Sequence, residues 1–292
     1  MSTTAATAPR AGIRRRGRRR SPTSHPHAWM LGVAAWAVGL LFVAPVLWMV
    51  LTSLHTESDA ATNPPSVAAG LTLSGYREFF DSNPWPALIN SATAAIASTL
   101  LVLALATPAA YALSIRPVRK WTDAMFFFLS TKFLPVVAAL LPVYLIAKNL
   151  HLLDNIVALV LIYASMNLPV AVWMMRSFLA EVPVEVLEAA SMDGCGLLRS
   201  LRTIVIPMVL PGIAATSLIC FIFSWNELLF ARVLTATVAQ TAPVFLTGFV
   251  TSQGLFLAKV CAAALAVSLP VLIAGFAAQD KLVQGLSLGA IK

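Results

Sequence analysis

Charged side chains are scarce in this sequence. They make up 11% of its 292 residues, against 59% hydrophobic, where an ordinary soluble domain carries about 25% charged residues. A water-facing globule is excluded, and a bilayer is the natural solvent. Cysteine is nearly absent: Cys195, Cys220 and Cys261 contain no CxxC pair and offer neither a disulfide framework nor a metal set. No G-x-x-x-x-G-K-[ST] phosphate loop occurs, so the chain does not hydrolyse ATP by that device. HExxH is missing, and the four histidines, His25, His27, His55 and His151, fall in the N-terminal tail or in outer loops. An enzyme working at membrane depth would need catalytic groups there, so transport, sensing or scaffolding remain.

Long apolar runs fill most of the chain. Six lie near 29–53, 88–113, 122–147, 156–176, 207–230 and 255–277, and a helix of about 20 residues crosses a hydrocarbon core of about 30 Å. The alternating strands of about ten residues that mark a membrane barrel are not found. The expected fold is therefore an all-α membrane protein with six transmembrane helices, a basic tail over 1–28 and a transmembrane domain over 29–292. The run from Ala28 to Leu54 is too long for the apolar part of a signal peptide, about 7–15 residues.

Lys and Arg favour cytoplasmic loops. Arg10, Arg14, Arg15, Arg16, Arg18, Arg19 and Arg20 precede the first span, Arg116, Arg119 and Lys120 follow the second, Arg176, Arg199 and Arg202 follow the fourth, and Lys281 and Lys292 close the chain. The opposite loops offer Arg77, Lys148 and Arg232. Both termini are thus expected in the cytoplasm of a multi-pass protein. The net charge of +8 and the run RRRGRRR fit a topology signal attracted to anionic lipid better than a nucleic-acid arm.

One stretch departs from this apolar pattern. Residues 177–206 read SFLAEVPVEVLEAASMDGCGLLRSLRTIVI, far longer than the 2–8 residues that join neighbouring helices. Pro183 suits a first helical turn, Glu185 and Glu188 its positive end, and Gly194 a stop. Ala189 and Ala190 keep that helix thin. A second short helix would carry Leu197, Leu201, Ile204 and Val205 on its apolar side, and Pro207 and Pro211 open the fifth span. Two short helices joined at a glycine and attached to a span make either a lever or an amphipathic segment resting on the membrane.

Glu188-Ala189-Ala190, three residues, Gly194, nine residues, Ile204, one residue, Ile206 and Pro207 resemble the EAA loop of ABC importer permeases, with Ile206 where the pattern has Leu. LTLSGYREFF, LINS, AEVPVEVLEAASMDG, SWNELLF and GLSLGAIK resemble the carbohydrate-uptake, maltose-transporter-permease-like branch. STKFLPVV, YASMNLPVAVWM and the C-terminal segment look most like mannitol/sorbitol-type permeases. The resemblance implies a type I ABC importer permease fold in a bacterial cytoplasmic membrane, whose EAA loop is a cytoplasmic coupling helix. Glu188, Ala189, Ala190, Asp193 and Gly194 would couple it to an ATPase. It further implies two ATPase subunits that bind ATP and Mg, a second homologous permease, an extracytoplasmic solute-binding protein and surrounding lipid. This chain itself would carry no cofactor, metal, nucleic acid or catalytic residue.

Polar groups inside spans are costly and mark pathways. Lys132 lies within the third span, Asn167 within the fourth, and Ser224, Trp225, Asn226 and Glu227 close the fifth, a set suited to a polyhydroxylated substrate such as a sugar or sugar alcohol. An importer for an oligosaccharide or glycerophosphodiester would share everything but the subclass motifs. A receptor or scaffold would explain the spans but not the EAA spacing. The arginine distribution predicts that a single cysteine placed in 177–206, in a background lacking the three native cysteines, is shielded from an impermeant reagent outside intact cells; labelling there would reverse the orientation.

Overall fold

The structure of the protein, a computed structural model, describes residues 28–62, 70–115, 120–133, 135–250 and 256–288. The tail arginines, His25 and His27 lie outside these residues, as do Arg116, Arg119 and Lys292. Every regular element among the described residues is helical, as expected where backbone amides must be satisfied within the segment itself. The chain divides into two compact units, residues 1–48 and 49–292. The first contains most of α1 (Ala28–Ser53), along which Trp29, Trp36, Leu41 and Phe42 are exposed.

In the second unit, α2 (Glu57–Ala60) and α3 (Ser74–Asp81) lead to the long α4 (Trp85–Ser114). The run at 122–147 is divided into α5 (Trp121–Ser130), a 3-10 turn over Thr131–Phe133, and α6 (Val136–Asn149). Next come α7 (Ile156–Leu179), α8 (Val184–Met192), α9 (Leu197–Ser200), a π-helical turn over Leu201–Val205, and α10 (Ile206–Met208). The last elements are α11 (Leu210–Trp225), α12 (Leu229–Leu234), α13 (Ala242–Thr247) and α14 (Leu257–Leu288). Four helices, α1, α4, α7 and α14, are long and apolar enough to cross a membrane. The bent pairs Trp121–Phe133 with Val136–Asn149 and Leu197–Met208 with Leu210–Trp225 raise the number to six if each pair is one span.

Prolines set the breaks. Pro135 caps α6 in an extended conformation and has no N–H to give the preceding turn. Between Pro207 and Pro211 the chain turns by 78° at Val209. Pro108, Pro169 and Pro270, by contrast, sit inside unbroken helices.

The main packing seam joins α4 to α7. On α4 the buried residues Ser91, Ala94, Ala95, Ser98, Val102, Ala106 and Ala110 recur every three or four positions, a stripe of mostly small side chains that lets backbones approach closely. On α7, Ala164, Ala171, Val172, Met175 and Leu179 join Val102, Ala106 and Ala110 in one core cluster. The helix α11 packs on α4, α7 and α14. Its Gly212 is required by contact: a Cβ there would lie 2.3 Å from Cγ of Phe178 on α7.

At the end of this unit away from α8, hydrogen bonds replace oily packing. Asn90 Nδ2 donates to the carbonyls of Val238 and Gln240 at 2.8 and 3.0 Å, and the Ala242 amide donates to Ser91 Oγ at 2.8 Å. These two residues belong to the LINS piece quoted above. The Glu57 carboxylate accepts the amides of Ala258 and Lys259 at the start of α14, and Lys259 pairs with Glu78. Asp154, between α6 and α7, accepts the backbone amides of Ala236, Thr237, Val238 and Ala239 at 2.9–3.2 Å. Burial alone would raise its carboxyl pKa, but these amide donors outweigh that and hold it well below the usual carboxylate range.

A carboxyl whose folded pKa is depressed stabilises at every pH above its unfolded value, about 3.9, and loses that contribution only as pH falls through the folded pKa. The 236–239 amides should therefore exchange with deuterium at a protection independent of pH between about 5 and 8 once intrinsic rates are removed. Asp154→Asn, which keeps one acceptor and loses the charge, should weaken that protection by about 1 kcal/mol, the screened end of the range for charged hydrogen bonds. Unchanged exchange in the variant would remove Asp154 as the clamp.

Candidate functional site

The 177–206 segment forms the first of two candidate regions. Pro183 caps α8, and Gly194 ends it with φ +74°. The Cys195 amide donates to Ala190 O and the Gly194 amide to Ser191 O, at 2.9 and 3.1 Å, the paired bonds of a Schellman stop. No atom lies within 4 Å of where a Gly194 Cβ would stand. The glycine is therefore demanded by its left-handed backbone and not by space. Glu188, Ala189, Asp193 and Gly194 are exposed, whereas Ala190 is 5% exposed and faces the body of the protein. Both alanines thus keep the helix thin, one on each side. Met192 and Leu198 are exposed, and so is Leu197, which departs from the expected apolar face of the second helix; Val205 of that face is fully buried. Glu188 makes no hydrogen bond or ion pair among the described residues.

The second region is a pocket of about 250 Å³ lined by Lys132, Tyr163, Met166, Asn167, Phe223, Ser224, Asn226 and Glu227. Five of the six residues expected along a pathway meet here. Trp225 is the exception: it is 3% exposed and its indole Nε1 donates to Val267 O of α14 at 3.2 Å. Asn167 and Ser224 are both buried. Asn167 Nδ2 donates to Ser224 Oγ at 2.9 Å, and that hydroxyl contacts Ser98 Oγ at 3.0 Å, so a single polar chain ties α7, α11 and α4 together. Glu227 accepts the Phe230 and Ala231 amides at 3.0 and 3.1 Å, capping α12. Asn226 Nδ2 donates to Ile222 O. Lys132, in the 3-10 turn at the break before α6, is exposed and makes no ion pair among the described residues.

Sequence inspection overlooked Tyr163 and Ser98. The Tyr163 ring is 1% exposed, and its hydroxyl faces the Glu227 carboxylate without a hydrogen bond of regular geometry. Nothing in an apolar helix marks one tyrosine as pocket-facing, although a buried Tyr hydroxyl generally needs a partner. Ser98 was concealed among the small residues of the α4 stripe.

The sequence profile described as "Binding-protein-dependent transport system inner membrane component" matches residues 103–287. The chain is 40% identical over 274 residues to a probable ABC transporter permease of Sinorhizobium fredii, covering 93% of this chain and 99% of that protein. It is 34% identical over 216 residues to the trehalose transport system permease of Mycobacterium tuberculosis, covering 71% and 76%. A crystal structure of a bacterial ABC transporter involved in the import of the acidic polysaccharide alginate contains a chain with the same fold: TM-score 0.71, 21% identity, covering 89% of this chain and 99% of that one.

The Ser98–Ser224–Asn167 chain yields a coupled prediction. Ser224→Ala leaves two buried polar groups short of a partner and should cost about 1 kcal/mol, between the averages for membrane hydrogen bonds and for buried unsatisfied groups. Asn167→Ala in the same background should cost less than it does alone, because the bond is already gone. Strictly additive losses in unfolding experiments would mean that the two residues act separately.

Proposed function

The chain belongs to the binding-protein-dependent transport system inner membrane components and is the permease component of an ABC importer, not an enzyme; on that premise we propose that it forms half of the membrane pathway for a sugar or sugar alcohol. An importer of this kind works with an ATPase and a solute-binding protein. The proposed assembly adds a second homologous permease and a pair of ATPases, with both termini and the 177–206 segment in the cytoplasm of a bacterium. A relative named for trehalose transport supports a sugar. The polyol version rests on the mannitol/sorbitol-like pieces of sequence and on a small pocket rich in hydrogen-bonding groups.

One observation carries the mechanism. The exposed, unpaired Glu188 stands on a thin helix rimmed by exposed Met192 and Leu198, and α9, the π turn and α10 lead without an intervening loop to α11, whose far end supplies Ser224 to the pocket. In this proposal an ATPase cleft takes the Ala189 side of α8, with a basic group meeting Glu188. Closure of the ATPases moves α8 as a lever, and the bend at Val209 turns that movement into a tilt of α11. With 16 residues, α11 carries the tilt over about 24 Å. Lys132, Asn226 and the Tyr163 hydroxyl then change their disposition toward substrate hydroxyls. Two gates alternate, one closing as the other opens.

The test pairs ATPase copurification with uptake of labelled mannitol, sorbitol and disaccharides for each variant in the same membranes. Glu188→Ala should lose most of both, since leaving a charged interface partner unpaired costs about 2–5 kcal/mol, and Gly194→Val should follow it by straining the turn. Arg199→Ala should be mild. Lys132→Met should keep copurification and lose uptake. Wild-type behaviour of Glu188→Ala in both assays would abandon the lever, and full uptake by Lys132→Met would reduce that lysine to a structural role.

A further inference from the structure

A cavity of about 650 Å³ lies between the α8–α9 segment and the adjoining ends of α4 and α7. Glu188 and Met192 on its α8 wall belong to the proposed ATPase contact; its α4 and α7 walls have no role assigned above. Its cationic group is Arg176, in the last turn of α7. The guanidinium lies over the Trp121 ring of α5, Cζ 3.9 Å from the ring centroid. Its Nε–H is buried without a hydrogen-bond partner, and Arg176 has no ion pair among the described residues. Hydroxyl-bearing Tyr111, Ser114 and Ser200 line the same cavity. The one carboxylate on the wall, Glu188, is not within ion-pairing distance of Arg176 and belongs to an exposed helix.

We propose that this cavity binds the phosphate of an anionic phospholipid headgroup, held by the Arg176 fork and the neighbouring hydroxyls. Three physical points support this. A buried guanidinium N–H left without an acceptor is costly, and a planar fork suits bidentate contact with phosphate. Basic pockets between membrane helices at the cytoplasmic face take anionic headgroups. Trp121 and Arg176 both stand at helix ends, the depth at which aromatic side chains and headgroups meet. Lys120, exposed and one residue before Trp121, adds a second cation near that corner. Because Leu187 and Ser191 of α8 form another wall, a bound headgroup would brace α8 against the ends of α4 and α7. The site rests on the proposed orientation only in naming the cytoplasmic leaflet.

The experiment titrates the purified full-length chain, in neutral detergent, with phosphatidylglycerol or phosphatidylcholine and counts bound lipids by native mass spectrometry. Wild type should hold one phosphatidylglycerol markedly more tightly than any phosphatidylcholine. Arg176→Gln should weaken that tightest site at least about tenfold, as loss of one charged hydrogen bond implies. Arg176→Lys should weaken it less, and Arg202→Gln, an exposed arginine in the π turn, should not change it. Millimolar inorganic phosphate should fail to displace the lipid. Equal affinity for the two lipids in wild type would overturn the proposal without any variant having to fold; so would an unchanged tight site in Arg176→Gln, or displacement by free phosphate, which would make this a soluble-anion site. Lipid binding to purified protein does not depend on orientation, so a reversed topology would be revealed by cysteine labelling and not here.

Discussion

The close packing of α4 on α7 is the contact on which the rest of the second unit depends. Serines and alanines at every third or fourth position of α4 allow the approach, and in lipid such packing must come from shape because no hydrophobic gain remains. Each end of the seam holds one of the polar regions. Toward one end, Ser98 and Asn167 face each other through Ser224 beside the 250 Å³ pocket. At the other, Tyr111 and Arg176 open onto the cavity behind α8. A bulky residue in the stripe would disturb both regions together.

The few charges divide by how they are satisfied. Glu57 and Glu227 cap helix starts, Asp154 sits among backbone amides, and Lys259 pairs with Glu78. Their partners are mostly main-chain groups, which places them in the framework of the fold. Lys132, Arg176 and Glu188 have no such partner among the described residues. Exposed surface charges such as Arg199 and Arg202 share that lack and are satisfied by water, but these three each stand at a cavity, and for that reason the proposals above rest on them.

Interruptions of helix are placed with equal economy. Pro108, Pro169 and Pro270 are absorbed within long helices, whereas Pro135 and the Pro207–Pro211 pair accompany breaks. One break puts Lys132 in a turn next to the pocket; the other joins the Glu188 helix to α11 through a 78° bend. A π turn directly before that bend fits the tendency of such turns to mark functional sites.

What the sequence by itself determined was the solvent, the helical class, the runs able to span, and the reason for Gly194. Hydrophobicity and glycine stereochemistry are local properties, and an E-A-A-x3-G pattern carries its turn within itself. It also singled out Lys132, Asn167, Ser224, Asn226 and Glu227, because a polar group in an oily run is conspicuous wherever the run is placed. Only the tertiary structure decided which of them meet, turned Trp225 away toward Val267, exposed Leu197, and made Glu227 a helix cap. It alone revealed Asp154 among amides some eighty positions further along the chain, Tyr163 facing the pocket, and Arg176 lying over Trp121. Those roles depend on backbone groups and on the azimuth of a side chain around its helix, and neither leaves a mark in the order of residues.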